Sequence, residues 1–474
     1  MFKQVKPFTT IFFIELWERF GFYGMQAILV YYMVKAIGMT DTLAFNTYSA
    51  FTALIYAAIF IGGYLGDNIL GAKKTLLLGA VFLTLGYVIL GYADPSYLYI
   101  ALGVIIVGNG LFKANPSNLL SKLYNADDPR LDSAFTLYYM SINIGSLLSM
   151  SFVPAIADHF GWGTGFYVCA LGLILAIAKF LISIKSLQPY DSPVGKKPLN
   201  FPAFITVVVG SVIAVFVLSY IIRHLTLAHW ILSLTGLGLL AFFIFEIMRA
   251  DASERSKMIV ALILMIQGIF FFILYQQMPT SLNFYAINNV EHSIFGFAIN
   301  PLSFQALNPF WIFVMSPILA HFYHKLGKQG KDLKMPTKFM IGMFLCAAGF
   351  LILWSSRYFA NSQGIVSSFW IITSYFFQST GELLVSGLGL AMVAQLVPER
   401  LTGFLMGAWF MAVAIGMILG GMVASLTDIP SNLPVGMDSL NIYSNIFLKI
   451  GIVTTIIAIV MALMTPKLKN LMSK

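Results

Sequence analysis

Charge is what this sequence has least of. Only 10% of its 474 residues are Asp, Glu, Lys or Arg, against about 25% in an ordinary soluble domain. So few charges cannot solvate the surface of a fold this size, which excludes an ordinary soluble globule. Acid is scarcer than base, with 19 Asp and Glu against 28 Lys and Arg. Cysteine is nearly missing: the 2 that occur, Cys169 and Cys346, stand far apart and provide neither a disulfide framework nor metal-binding spacing. Met1–Pro7 lacks the pattern of a secretory leader. The apolar segment behind it is long, carries charges and has no small-residue cleavage site, so it is expected to stay as a first helix. No GxSxG or HExxH motif occurs and neither cysteine stands beside a histidine, which argues against an intramembrane hydrolase.

What the chain has in excess is apolar length. Hydrophobic residues make up 59% of it and mean hydropathy is +0.85. Many runs exceed the ~20 residues needed to cross ~30 Å of hydrocarbon as a helix. About fourteen spans are expected, near 8–36, 43–66, 75–93, 97–120, 133–156, 163–184, 202–222, 227–247, 258–285, 307–324, 337–356, 368–396, 401–426 and 441–464. With the N-terminus inside, only Lys35, Arg223 and Arg357 fall on the outer side. Arg19, Lys113, Lys179 and Lys449 fall within spans, and the rest of the 28 basic residues lie in inner loops or tails. That distribution is the positive-inside rule. The net charge of +9 therefore reads as membrane topology with both termini cytoplasmic, and no nucleic-acid partner is expected.

Polar, proline-punctuated Leu187–Pro202 and charged Ala250–Lys257 bracket two apolar spans. The expected organisation is a six-helix bundle at 1–186, a linker with two inserted helices at 187–257, and a second six-helix bundle with its tail at 258–474. Two such bundles around a midplane site is the plan of a secondary transporter. The segment Gly62-Gly-Tyr-Leu-Gly66-Asp67-Asn-Ile-Leu-Gly71-Ala-Lys73-Lys74, at the inner end of the second span, resembles the loop signature of the major facilitator superfamily.

The charges inside the spans carry the functional signal, since each costs about 2.5–3.5 kcal/mol to insert and needs a reason. Glu15, Glu18 and Arg19 stand three and four residues apart, on one face of the first helix, and Gln26 continues that stripe. Glu15 can pair with Arg19 one turn on, leaving Glu18 to meet another cation or a proton. Lys113, in Gly108-Asn-Gly-Leu-Phe-Lys113-Ala-Asn115-Pro116, needs an anion from the protein or a substrate. Glu382, with Ser386 one turn on, is the buried acid of the second half. Asn143 and Asn308 are candidates to line a pocket. Tyr23, Tyr56 and Trp409 gain weight from lying near these charges. Lys179, Glu246 and Lys449 sit near span ends, where snorkelling suffices, and His321 and His324 read as loop-edge residues.

Glu15-Leu-Trp-Glu18-Arg19-Phe-Gly-Phe22-Tyr23-Gly resembles the ExxERFxYYG signature of the proton-dependent oligopeptide transporter family. Tyr138-Tyr139-Met-Ser-Ile-Asn143-Ile-Gly145 resembles its FYxxINxG signature, with Tyr138 in the Phe slot. Gly108–Pro116 and Gln277-Met-Pro-Thr-Ser-Leu-Asn-Phe-Tyr are similar to the bacterial dipeptide and tripeptide permease subgroup, and the likeness runs from Phe8 to Lys469. The resemblance implies an all-α membrane protein of the bacterial inner membrane with a major facilitator fold, twelve core helices plus two inserted ones. It implies alternating-access cotransport of di- and tripeptides with protons, with the proton as coupling ion, no cofactor or metal, membrane lipid as surroundings and a monomeric unit. Glu15, Glu18 and Arg19 would couple the proton. Lys113 would hold the peptide carboxylate with Tyr23 and Tyr56, and Glu382 with Asn308 would receive its amino terminus. Asn143 would meet the peptide backbone and Trp409 would wall a side chain, with Gln26 and Ser386 completing the pocket. Two positions depart from the pattern: Gln26 and Gln276 stand where many members have Arg and Glu, which puts more of carboxylate binding on Lys113.

Overall fold

A backbone in hydrocarbon must satisfy its own hydrogen bonds, so apolar runs of this length fold as helices. The computed structural model describes residues 4–125, 128, 130–329, 333–430 and 433–472. In chain order the helices are α1 (Phe8–Lys35), α2 (Asp41–Asn68), α3 (Ala72–Gly91), α4 (Leu98–Phe112), α5 (Asn115–Ser121), α6 (Leu131–Phe160), α7 (Trp162–Leu187) and α8 (Phe201–Arg223). There follow α9 (Leu225–Arg249), α10 (Ala252–Tyr275), α11 (Ser281–Asn289), α12 (Leu307–Lys328), α13 (Met335–Ser355), α14 (Ser368–Val385), α15 (Gly389–Leu396), α16 (Glu399–Ser425) and α17 (Met437–Met472). A two-residue hairpin, β1 (Ser293–Ile294) against β2 (Phe297–Ala298), lies between α11 and α12.

Among the described residues, 12 helical segments are long and apolar enough to cross a membrane. The other two long helices, α1 and α14, fall short because they carry Glu15, Glu18, Arg19 and Glu382. Counting them gives the fourteen expected spans. Three of these spans are interrupted. The span expected at 97–120 stops as α4 at Phe112 and restarts as α5 at Asn115, because Pro116 has no N–H for the ladder and crowds the preceding turn. The one expected at 258–285 breaks between Tyr275 and Ser281, around Pro279. The one expected at 368–396 changes to a 3-10 turn at Ser386–Leu388 before α15.

Contacts divide the chain into two units, Met1–Met39 with Ala50–Ala228, and Thr40–Ser49 with His229–Lys474. This is a different cut from the division by chain order, since α8 falls in the first unit and α9 from His229 onward in the second.

In the first unit α1 packs against α6 and α7, and α3 against α4. Small residues set these approaches, as expected where lipid supplies no hydrophobic drive between helices. A Cβ on Gly62 of α2 would overlap the carbonyl of Gly110 in α4, so only glycine lets these backbones meet. Gly71 turns the chain from α2 into α3 at φ 96°, a conformation that suits glycine. α8 lies on α4, where Val215 joins Phe82, Val104, Val107 and Leu111 in a buried apolar cluster.

The second unit pairs α13 with α17 and α14, α10 with α16, and α12 with α14. α9 leans on α16: the Phe242 and Phe404 rings lie 4.6 Å apart, and Arg400 bridges Glu246 at 2.7 Å. The first residues of α2 belong here, with Thr42 donating to Asp428 at 2.5 Å and Asn46 to Ser425 at 3.0 Å.

Candidate functional sites in the two units

α1 carries its charges inward. Glu15, Glu18 and Arg19 are 3%, 0% and 2% exposed, so three ionisable groups lie away from lipid and water alike. Arg19 Nε stands 3.3 Å from Glu15 Oε1 and 2.5 Å from Glu18 Oε2. The expectation that Glu18 is left over from a Glu15–Arg19 pair is therefore corrected. In a medium of low dielectric constant one guanidinium draws in both carboxylates, and its long stem reaches back to the adjacent residue. The match is incomplete, because Glu15 Oε2, Glu18 Oε1 and Arg19 Nη2 are buried without a hydrogen-bond partner among the described residues. Two acids facing one guanidinium leave one negative charge.

That charge has a counterpart. Lys113 sits at the α4–α5 break, half-buried, and interacts electrostatically with both Glu15 and Glu18 while being repelled by Arg19. Its ammonium lies 4.5 Å from the centre of the Tyr56 ring on α2, a cation–π contact that steadies a lysine while leaving its N–H donors available. Among the described residues it makes no ion pair at bonding distance. The four groups sum to zero, with Lys113 as the loosely held member.

The surrounding residues come from α1 and α6. Tyr138, on α6, lies beside Glu15, and Tyr23 lies near Arg19. Gln26 is 7% exposed, and its side chain makes no hydrogen bond to a described residue. Asn143, also 7% exposed, gives its amide N–H to its own helix at Tyr139 O, 2.9 Å away, which leaves its Oδ1 without that tie.

In the second unit Asn308, in the first turn of α12, donates to Glu382 Oε2 at 2.7 Å and to Ser379 Oγ at 3.1 Å. The one acid of α14 is thus held by an amide rather than by a cation. Ser386 sits one turn on, where α14 ends, and its backbone N–H still bonds Glu382 O. Trp409 on α16 is 3% exposed, its ring packed on Gly268 and 6.0 Å from the Phe272 ring, so it offers little surface of its own. Gln276, at the break after α10, donates to Ser49 Oγ at 2.8 Å, a neutral hydrogen bond.

Broken helices at membrane depth expose backbone groups that a soluble-like cavity can use. Lys113, Gln276 and Ser386 stand at the three breaks, and Glu382 one turn before the last. Tyr87 and Ser379 were not among the residues singled out from sequence. Tyr87 is fully buried on α3, and its hydroxyl, beside Glu18, has no hydrogen-bond partner among the described residues. Nothing in the local sequence separates it from the other 21 tyrosines, and only the packing of α3 behind Gly21 brings it there.

Known proteins resemble this chain along its whole length. The sequence model of the POT family matches residues 73–444. The dipeptide and tripeptide permease B of Salmonella typhimurium is 50% identical over 475 residues, covering 100% of this chain and 97% of that protein. The permease A of Pectobacterium carotovorum is 50% identical over 472 residues, covering 99% and 93%. The crystal structure of tetrameric PepTSo2 superposes with a TM-score of 0.88 at 39% identity, covering 98% of this chain and 99% of that one. The peptide transporter POT in complex with sulfate gives 0.83 at 27% identity, covering 99% and 96%. With this likeness over its whole length, the chain belongs to the POT family of membrane transporters.

Proposed function

We propose that the chain is a proton-coupled symporter importing dipeptides and tripeptides by alternating access. The observation that carries the reading is Lys113. Its ammonium has no carboxylate at bonding distance among the described residues, yet it balances the surplus charge of Glu15 and Glu18 against Arg19. A peptide carboxylate arriving at Lys113 neutralises it. Two carboxylates then face one guanidinium in a site that tolerates net charge poorly, and one proton on either glutamate restores neutrality. Release of the peptide reverses the sequence. Peptide and proton are thereby tied by charge balance within the first unit.

Glu382, held by Asn308, is the proposed partner of the peptide ammonium. A zwitterion then pairs its carboxylate with a cation and its ammonium with an anion. Tyr23, Gln26, Tyr56, Asn143 and Ser386 offer further polar contacts, and Trp409 would wall a side chain only where it is uncovered from its packing on Gly268. The driving force is adequate: one proton moving down 100 mV releases about 2.3 kcal/mol, enough for roughly fiftyfold accumulation at ~1.4 kcal/mol per decade. The proposed transport unit is the monomer, in the inner membrane of a bacterium with both termini cytoplasmic. The basic residues of the inner loops support that orientation. No cofactor is invoked beyond the proton.

Uptake of labelled dialanine into proteoliposomes tests the reading. An inside-alkaline gradient should drive accumulation, and unlabelled trialanine should compete while alanine and nitrate should not. Uptake indifferent to the gradient, or blocked by nitrate as well as by peptide, would overturn it.

A further inference from the structure

Two cavities in the first unit meet at Ile69. The first, about 340 Å³, is apolar and walled by α2, α4 and α8, with Leu65, Gly110, Gly210 and Ala214 in its lining. It adjoins the outer face of α8, where Val209, Ile213 and Phe216 are 50%, 58% and 61% exposed, as befits a helix against lipid tails. The second, about 310 Å³, lies at the end of α2 beneath the linker that precedes α8, and Lys74, Lys197 and Asn200 line it. Ile69 lines both, so an apolar groove within the membrane ends in a basic pocket at its boundary.

The charges of that pocket are not cancelled. Lys73 is engaged by Asp191 at 3.9 Å and by Gln188, which anchors the linker. Asp67 is engaged by Asn118 at 2.6 Å and by Lys122 at 3.6 Å. Lys74 donates only to the carbonyl of Lys197, at 3.1 Å, and the Lys197 ammonium makes no ion pair among the described residues. The pocket also meets the start of α8, where Asn200 Oδ1 accepts from Ala203 N at 3.2 Å and Pro202 occupies the first turn. The positive end of a 23-residue helix therefore adds to two lysines.

We infer that this groove and pocket form a binding site for an anionic glycerophospholipid. Its phosphate would be held between Lys74, Lys197 and the start of α8, and one acyl chain would lie in the groove past Gly210. A zwitterionic headgroup fits less well, since its own ammonium would face two lysines, and no acid is among the residues lining the pocket. The inserted helix α8 then acts as one wall of a lipid seat.

Native mass spectrometry of the purified full chain, offered equal phosphatidylglycerol and phosphatidylcholine with matched acyl chains, tests this. The wild type should retain phosphatidylglycerol about tenfold over phosphatidylcholine. Lys74→Gln/Lys197→Gln should bring the ratio near one, and Lys197→Gln alone, on an exposed linker, should lower it severalfold without a folding cost. Gly210→Phe should displace both lipids, because a Cβ there meets open space and the ring would fill the groove rather than clash. Dialanine-induced thermal stabilisation confirms that each variant is folded. Equal retention of the two lipids by wild type, or an unchanged ratio in the lysine variants, would overturn the headgroup assignment. Undiminished lipid in Gly210→Phe would overturn the groove.

Discussion

Arg19 holds Glu18 at 2.5 Å and Glu15 at 3.3 Å, so one guanidinium serves two buried carboxylates. Removing the charge of the closer partner leaves a neutral Glu15–Arg19 pair that no longer needs a proton. Glu18→Gln should therefore lose gradient-driven accumulation of dialanine while keeping peptide binding and downhill counterflow exchange. Measuring both on one purified preparation separates coupling from folding. If exchange, binding and thermal stability fall together, the cluster is a clamp between helices.

Among the described residues, Lys113 is the member of the network with no acid at bonding distance. Lys113→Ala removes a charge-assisted contact worth about 1.5–3 kcal/mol, so the apparent Kd for dialanine should rise by one to two orders of magnitude and driven uptake should vanish. Uptake near the wild-type level at equal protein in the liposomes would remove Lys113 from the substrate site.

Glu382 accepts a hydrogen bond from the Asn308 amide at 2.7 Å and has no cation at bonding distance among the described residues, which leaves it open to a substrate ammonium. Acetylation of the peptide amino group should therefore weaken competition strongly in the wild type, and Glu382→Gln should shrink the gap between dialanine and acetyl-dialanine. Equal competition by the two ligands against wild type would assign Glu382 another role.

Gly62 and Gly210 make opposite predictions from the same kind of substitution. A Cβ on Gly62 collides with the Gly110 carbonyl, whereas one on Gly210 meets nothing. Gly62→Val should cost about 1–3 kcal/mol through overpacking, visible as a lower Tm, and Gly210→Ala should leave Tm unchanged. Equal Tm values would mean that α2 and α4 separate without penalty.

The helices were legible because hydrocarbon permits few alternatives, and the lack of charge marked where hydrocarbon lies. The buried charges were legible for the same reason: a lone Lys113 or Glu382 in an apolar run stands out. Partnership was less so. Spacing along α1 pairs Glu15 with Arg19 at one turn, but an arginine stem can fold back on its neighbour, and sequence distance does not record that. Tyr138 and Tyr87 reach the glutamates through the packing of α6 and α3 on α1, which leaves no local signal. Helix interruptions were half visible: Asn115-Pro116 announced one, while the 3-10 turn at Ser386–Leu388 follows a sequence that reads as continuous helix.

The central claim is that a peptide carboxylate at Lys113 and a proton at Glu15 or Glu18 arrive together. The most direct test is to add dialanine outside proteoliposomes containing a trapped pH indicator, with no gradient imposed and the membrane potential clamped by potassium and valinomycin. Dialanine should acidify the interior in the wild type, and no acidification should occur with Lys113→Ala or Glu18→Gln. Dipeptide entry without acidification in the wild type, or acidification undiminished in Glu18→Gln, would contradict the account.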